Sequence, residues 1–203
     1  ETYGTYLFGS PTHALVINCP ESKKQEYIST YGAVYAEYPA WSRTNEYDFS
    51  TDSSVPWATW RGSIPTLIIG SNIKPNKMDY WFYGFQAIGG NDGSVVGLEK
   101  IDTSRCTSMN STFWGFHYRN KPIDLSSWDV SNVENFYQAL SNVYAPSLNV
   151  SGWVTSSATN MMQMFQSTQL TGTTPTIDMS TWDFSNVTTM YQMFAGSTLQ
   201  TLN

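Results

Sequence analysis

The chain has 203 residues, with 10 Lys and Arg against 16 Asp and Glu and a net charge of −6. That length buries a substantial core and allows one or two domains. Without a basic stripe nothing neutralises phosphates, which excludes nucleic acid and anionic membranes as partners, and no apolar run reaches the roughly 18 residues of a membrane span.

The first segment, residues 1–61, carries no repeat. `HALVINC` from His13 reads as a buried strand. `PESKKQEYISTYGAVYAEYP` from Pro20 to Pro39 predicts a helix: Pro20 opens it, Tyr27, Ile28, Tyr31, Val34, Tyr35 and Tyr38 make one face, and Pro39 ends it. Residues 40–60 form a loop-like stretch holding Trp41, Tyr47, Trp57 and Trp60 among Ser, Thr, Asp and Pro. A strand and then a helix predict a small α/β element that caps the open apolar end of residues 62–203.

Residues 62–203 carry an internal repeat. `WDVSNV` at 128 returns as `WDFSNV` at 182, and blocks starting at Asp102, Asp129, Val154 and Asp183 align without gaps at steps of 27, 25 and 29 residues. In each block the apolar residues fall at i, i+3, i+4 and i+7, as in Val133, Phe136, Tyr137 and Leu140 or Val187, Met190, Tyr191 and Phe194, the stripe of a short amphipathic helix. Ser131 with Glu134 reads as a capping box, and Ser156 and Ser185 occupy the same cap position. Upstream, `IDL` at 123, `LNV` at 148 and `IDM` at 177 alternate as short strands, each leading to a tryptophan: Trp128, Trp153 and Trp182. Looser copies, `VGL` at 96 with Ile101 and `TLII` at 66 with `KMDYWFYGF`, extend the count to five units. One unit cannot bury its own apolar face, so stacking is required. The expected class is therefore α/β: a leucine-rich-repeat solenoid of short parallel strands and short helices behind a small α/β N-terminal cap.

The blocks `IDLSSWDVSNVENFYQAL` and `IDMSTWDFSNVTTMYQMFAGSTLQTLN` resemble the BspA-like leucine-rich repeats of Gram-positive bacterial surface proteins, over roughly residues 62–203. The `VTSSATNMM` unit lacks the Asp and Asn of that pattern, and Arg105 and Cys106 replace Asn and Val in the first full unit. The resemblance implies a secreted, cell-wall-attached parent and a non-catalytic adhesin region that attaches to host epithelium, extracellular matrix protein or mucus glycoprotein, acting as a monomer. A passive stalk and a glycan-binding lectin are the alternatives. Glu1 at the start and a unit broken off after Leu202 and Asn203 suggest a segment of a longer protein.

No chemistry stands out, and no cofactor is expected. His13 and His117 neighbour no nucleophile motif. Asp124, Asn149 and Asp178 are expected in one outward row of the strands, which sets the two carboxylates about 10 Å apart, wide for the roughly 6.5–9.5 Å of an inverting glycosidase pair. Cys19 and Cys106 with two scattered histidines make no zinc site. The two cysteines read either as small buried hydrophobes or as a disulfide pinning the N-terminal segment. Aromatics outside the repeat register are the expected ligand contacts, since those within it pack inward. They are Trp41, Trp57, Trp60, Trp114, Phe116 and Tyr118, with His117 and Arg119 beside the last, and the polar row of Asp124, Asn149 and Asp178 is expected to join them.

Overall fold

The computed structural model describes residues 2–9, 14–38, 49, 51–90 and 93–202. Two apolar runs make the first hairpin: β1 (Tyr3–Phe8) pairs antiparallel with β2 (Ala14–Pro20), with Leu7 opposite Leu15 and Phe8 opposite Ala14. Period-two alternation sends Leu15 and Ile17 of β2 into the main core and Val16 to a second cluster covered by Tyr27, Ile28 and Tyr31 of α1 (Lys24–Tyr31). Asn18, at φ 55°, breaks the alternation, so Cys19 joins Val16 in the second cluster.

The helix expected from Pro20 to Pro39 stops at Tyr31. Gly32, at φ 97°, takes a conformation that side-chain-bearing residues resist, and the chain reverses there. Val34–Tyr38, rich in β-branched and aromatic residues, becomes β3 and pairs antiparallel with β1, Thr5 opposite Tyr38. Pro39 lies outside the described residues. On the other side β2 pairs in parallel with β4 (Thr66–Ile69), and β4 with β5 (Val95–Val96), giving one five-stranded sheet in the order β3-β1-β2-β4-β5. This mixed sheet joins strands from both sides of residue 61.

Beyond it the expected α/β leucine-rich-repeat solenoid is not the structure that the chain forms. Among the described residues Lys24–Tyr31 is the single α-helix, and the repeat region consists of small, open sheets and turns. β6 (Ile123–Asp124) pairs with β8 (Leu148–Asn149), β7 (Tyr144–Ala145) with β9 (Gln169–Leu170) and β10 (Thr176–Ile177) with β11 (Thr201–Leu202), all parallel and two residues long.

The segments read as helices are turns that bond to their neighbours. The N–H groups of Met109, Ser111, Phe113 and Gly115 reach the carbonyls of Asn135, Tyr137, Ala139 and Ser141 in the next unit, at 2.8–3.0 Å. The intervening N–H groups of Thr112, Trp114 and Phe116 turn back to Met109, Ser111 and Phe113, three residues earlier. A helix would place every one of these bonds inside the segment at i−4. Here four of these seven tie one unit to the next, so the backbone polar groups are satisfied largely by stacking. This requires a left-handed residue twice per unit: Tyr80 and Gly84, Ser111 and Gly115, Gln138 and Asn142, Gln163 and Ser167, Gln192 and Gly196 all have φ between 53° and 73°. The expected capping box of Ser131 and Glu134 does not form either. The Ser131 hydroxyl donates to Asp129 Oδ1 at 2.6 Å, and Glu134 N–H bonds Thr107 O. The same Asx turn recurs at Asp102–Ser104, Asp124–Ser126 and Asn149–Ser151.

Apolar side chains from the turns and the two-residue strands fill the interior. Trp128, Trp153 and Trp182 are buried, Trp153 and Trp182 stack with centroids 6.0 Å apart, and Trp128 Nε1 and Trp153 Nε1 donate to Leu98 O and Leu125 O. Cys19 and Cys106 are free and buried in different clusters, so the disulfide alternative is not formed. Burial pushes the Cys19 thiol up to about 11 and the Cys106 thiol up to about 12, which keeps both protonated and unreactive. No helix among the described residues is long and apolar enough to cross a membrane.

Candidate functional site

The aromatics expected to meet a ligand divide sharply by burial. Trp57 is fully buried, with Nε1 donating to Trp81 O at 2.9 Å. Phe116 is fully buried against Phe82, Phe85 and Phe113. Tyr118 is buried with its Oη accepting from Val95 N–H at 3.2 Å. These three are core residues, a correction with a simple cause: each packs among other buried groups, and Trp57 and Tyr118 spend their polar atoms on backbone partners in the interior. Trp60 is half-buried, edge-on to Tyr35 at 5.1 Å. Trp41 and His13 lie outside the described residues. Asp124 and Asn149 are exposed and joined, Asn149 Nδ2 donating to Asp124 Oδ1 at 3.1 Å, while Asp178 accepts from Ser180 N–H. The Ser126 N–H and hydroxyl, with a smaller contribution from Asn149, hold the Asp124 carboxyl below the usual carboxylate range, and Ser180 does the same for Asp178, so both are anions rather than proton donors.

Trp114 sits on the turn face. Its half-buried indole stacks on Tyr83 with centroids 4.5 Å apart and planes 12° from parallel, and the Arg61 guanidinium covers Tyr83 at 4.7 Å. Arg61 is held by Asp52, with Nη2 2.9 Å from Oδ2. Tyr83 and Trp114 stack because each lies three positions beyond its unit's first left-handed residue, Tyr80 or Ser111, and unit-to-unit hydrogen bonds fix the register. Three positions beyond Trp114 is His117, whose backbone bridges Tyr144; the Arg119 guanidinium lies over the Tyr144 ring at 4.5 Å. Burial, then the Arg119 charge, lowers the His117 pKa, so its imidazole is neutral at neutral pH. Trp114 thus meets Tyr83 under Arg61, and His117 and Arg119 meet Tyr144; Arg61, Tyr83 and Tyr144 are three residues that sequence reasoning missed. The signal was the repeat itself, which puts Tyr83 and Trp114, like His117 and Tyr144, in shared columns.

The same face continues as a glutamine ladder. Gln138 Nε2 donates to Gln163 Oε1 at 3.0 Å, and Gln163 Nε2 to Gln192 Oε1 at 3.0 Å. The aromatic and cationic end and the amide track are hydrogen-bonding groups and stacked rings held in place by backbone bonds.

A second concavity of about 570 Å³ is lined by Tyr3, Asn72, Lys74, Glu99, Lys100 and Asp102. Its cations are committed: Lys74 Nζ lies 2.8 Å from Asp102 Oδ2, and Lys100 Nζ donates to Ile69 O at 3.1 Å. The Lys74 ammonium and the Ser104 hydroxyl lower the Asp102 pKa to about 2. Since an unfolded aspartate titrates near about 3.9, this pair stabilises the fold above that pH and the contribution disappears as pH falls towards about 2. The carboxylate is half exposed, so the effect is small. Acid unfolding of Lys74→Met should show a shallower loss of stability between those two pH values than the parent; identical acid limbs would contradict the pairing. Among the described residues no group of three or more His, Cys, Asp or Glu is placed to hold a metal ion.

Residues 76–202, more than half of the chain, match the model of a family described as a mycoplasma protein of unknown function, DUF285. No curated protein and no solved structure matches the chain.

Proposed function

The chain belongs to the DUF285 family, and from its turn face we propose that it is a non-catalytic binding region of a bacterial cell-surface adhesin, attaching to a host cell-surface or extracellular matrix protein or to a mucus glycoprotein. The observations that carry the reading are the Arg61–Tyr83–Trp114 stack and, three positions along the chain, the His117–Arg119 turn with its Arg119–Tyr144 pair. Tryptophan, tyrosine and arginine held rigid before contact are the residues that dominate interface energetics, because ordering them on binding costs little. The resemblance of the repeat sequence to BspA-like surface proteins supports the same reading. So does the chemistry of residues 122–203, which have no Lys or Arg and depend on Ser, Thr, Asn and Gln for solubility.

The test is adhesion of the purified chain to epithelial monolayers, immobilised matrix proteins and mucin, with and without free saccharide. Trp114→Ala with Arg119→Ala should weaken binding by about 30-fold or more, the effect of losing a hot spot worth about 2 kcal/mol. Both side chains reach the surface, so the far-ultraviolet spectrum should not change. Undiminished adhesion by the double variant, or adhesion by neither protein, overturns the reading. Competition by saccharide assigns the contact to a glycan.

A further inference from the structure

The parallel pairing that links successive strands is broken between β5 and β6 and again between β8 and β10. β5 pairs with β4 and β6 pairs with β8, but β5 and β6 do not pair with each other, although their units are bonded together along the turns. Between them lies a groove of about 500 Å³ with β5 and Gly97 on one wall, β6 and Pro122 on the other, and Phe116 and Tyr118 at its base.

The hydrogen bonds on the far sides of the two walls show how the groove edges are oriented. Leu67 N–H takes Ser94 O on the β4 side, so the N–H and C=O of Val95 point the other way. Ile123 and Leu125 donate to Ser147 O and Asn149 O on the β8 side, so the N–H and C=O of Asp124 point back towards β5. Of these four backbone groups, Val95 N–H is met by the Tyr118 hydroxyl. Among the described residues no hydrogen bond is made to the other three. Val96 on the β5 wall is 46% exposed, and the rim carries the exposed carboxylates of Glu99 and Asp124 against one cation, Lys121.

We propose that this groove takes an extended segment of a partner polypeptide as an added strand between β5 and β6, with a basic side chain of the segment against Glu99 and Asp124. Only an extended main chain offers donors and acceptors to both walls at once, which is how strand addition supplies affinity while side-chain pockets supply selectivity. The Tyr118 hydroxyl acts as a stand-in for one acceptor of that missing strand. Its ring and Pro122, which has no N–H to give, block the two walls from closing on each other.

The probe is a set of acetylated, amidated hexapeptides alternating Val or Thr with Lys, and a matching set with Glu in place of Lys, titrated into the full chain by calorimetry. Lysine peptides should bind and glutamate peptides should not, and binding should slow hydrogen exchange at the Asp124 amide. N-methylation at alternate residues, which deletes main-chain donors and keeps every side chain, should weaken binding by about tenfold for each bond lost. Tyr118→Phe keeps the ring and releases Val95 N–H, so it should bind the lysine peptides several-fold more tightly. Asp124→Asn and Glu99→Gln, both at exposed positions, should weaken them. The proposal is overturned if no lysine peptide binds, if N-methylated peptides bind equally well, or if bound peptide leaves Asp124 exchange unchanged.

Discussion

Replacing Trp57 with alanine is expected to lower stability by about 3–5 kcal/mol, the range for removing a large buried aromatic. The indole has no exposed surface, is edge-on to Tyr38 at 6.4 Å and to Phe49 at 6.2 Å, and donates its N–H to Trp81 O at 2.9 Å. Truncation opens a cavity at the junction of the N-terminal segment and the first unit and also deletes that hydrogen bond. A typical domain has only about 5–15 kcal/mol in hand, so the variant should unfold at a much lower urea concentration. Trp57→Phe, which keeps most of the apolar volume and loses the donor, should fall between the two. A Trp57→Ala protein that unfolds within about 1 kcal/mol of the parent would contradict the core assignment. The same experiment separates core from contact, because adhesion lost through this residue is lost with the fold.

The misreading of Trp57 has the same origin as the misreading of the repeat. Period two was legible: Leu15 and Ile17 do point away from Val16, and Ile123 and Leu148 are buried beside exposed Asp124 and Asn149. The tryptophans of the repeat do point inward. The i, i+3, i+4, i+7 stripe holds in one unit, where Val133, Phe136 and Leu140 are buried and Tyr137 is half-buried, and fails in the last, where Met190 and Tyr191 are exposed. It reports how often the chain returns to the core, however, and a run of three-residue turns returns about as often as a helix does. The distinguishing signal is the residue type at the left-handed positions. Gly84, Gly115, Asn142, Ser167 and Gly196 share one column, four of the five of a kind that adopts positive φ at low cost, while Tyr80, Ser111, Gln138, Gln163 and Gln192 share the other. A helix of about nine residues with so many Ser, Thr and Asn is also unstable by itself. The site was half legible for a related reason. Aromatics outside the register read as surface groups in the sequence, yet the insertion around Phe116 and Tyr118 folds inward to fill the gap it creates. Arg61, Tyr83 and Tyr144 lie within ordinary-looking stretches and gain their role only when units stack.

Replacement by alanine of Gly97, on the wall of the groove between β5 and β6, is expected to cost about 2–4 kcal/mol, combining a left-handed penalty of about 1–2 kcal/mol with an overpacking penalty of similar size. Gly97 sits at φ 87°, and a Cβ there would lie 2.6 Å from Ile69 O and 3.3 Å from Ile69 Cβ. A backbone oxygen in a paired strand cannot swing aside, so β4 and β5 must part, weakening the Leu67–Val95 and Ile68–Val96 pairs and the bond from Lys100 Nζ to Ile69 O. Gly152 provides the internal control. Its φ is 80°, but nothing lies within 4 Å of a Cβ built there, so Gly152→Ala should show the left-handed penalty alone, about 1–2 kcal/mol. The difference between the two variants in urea unfolding therefore isolates the clash with Ile69 O. Faster amide exchange at Val96 in Gly97→Ala would locate the loss at the β4–β5 edge. Equal losses in the two variants would mean that backbone strain accounts for the whole effect and that β5 is not pressed against β4.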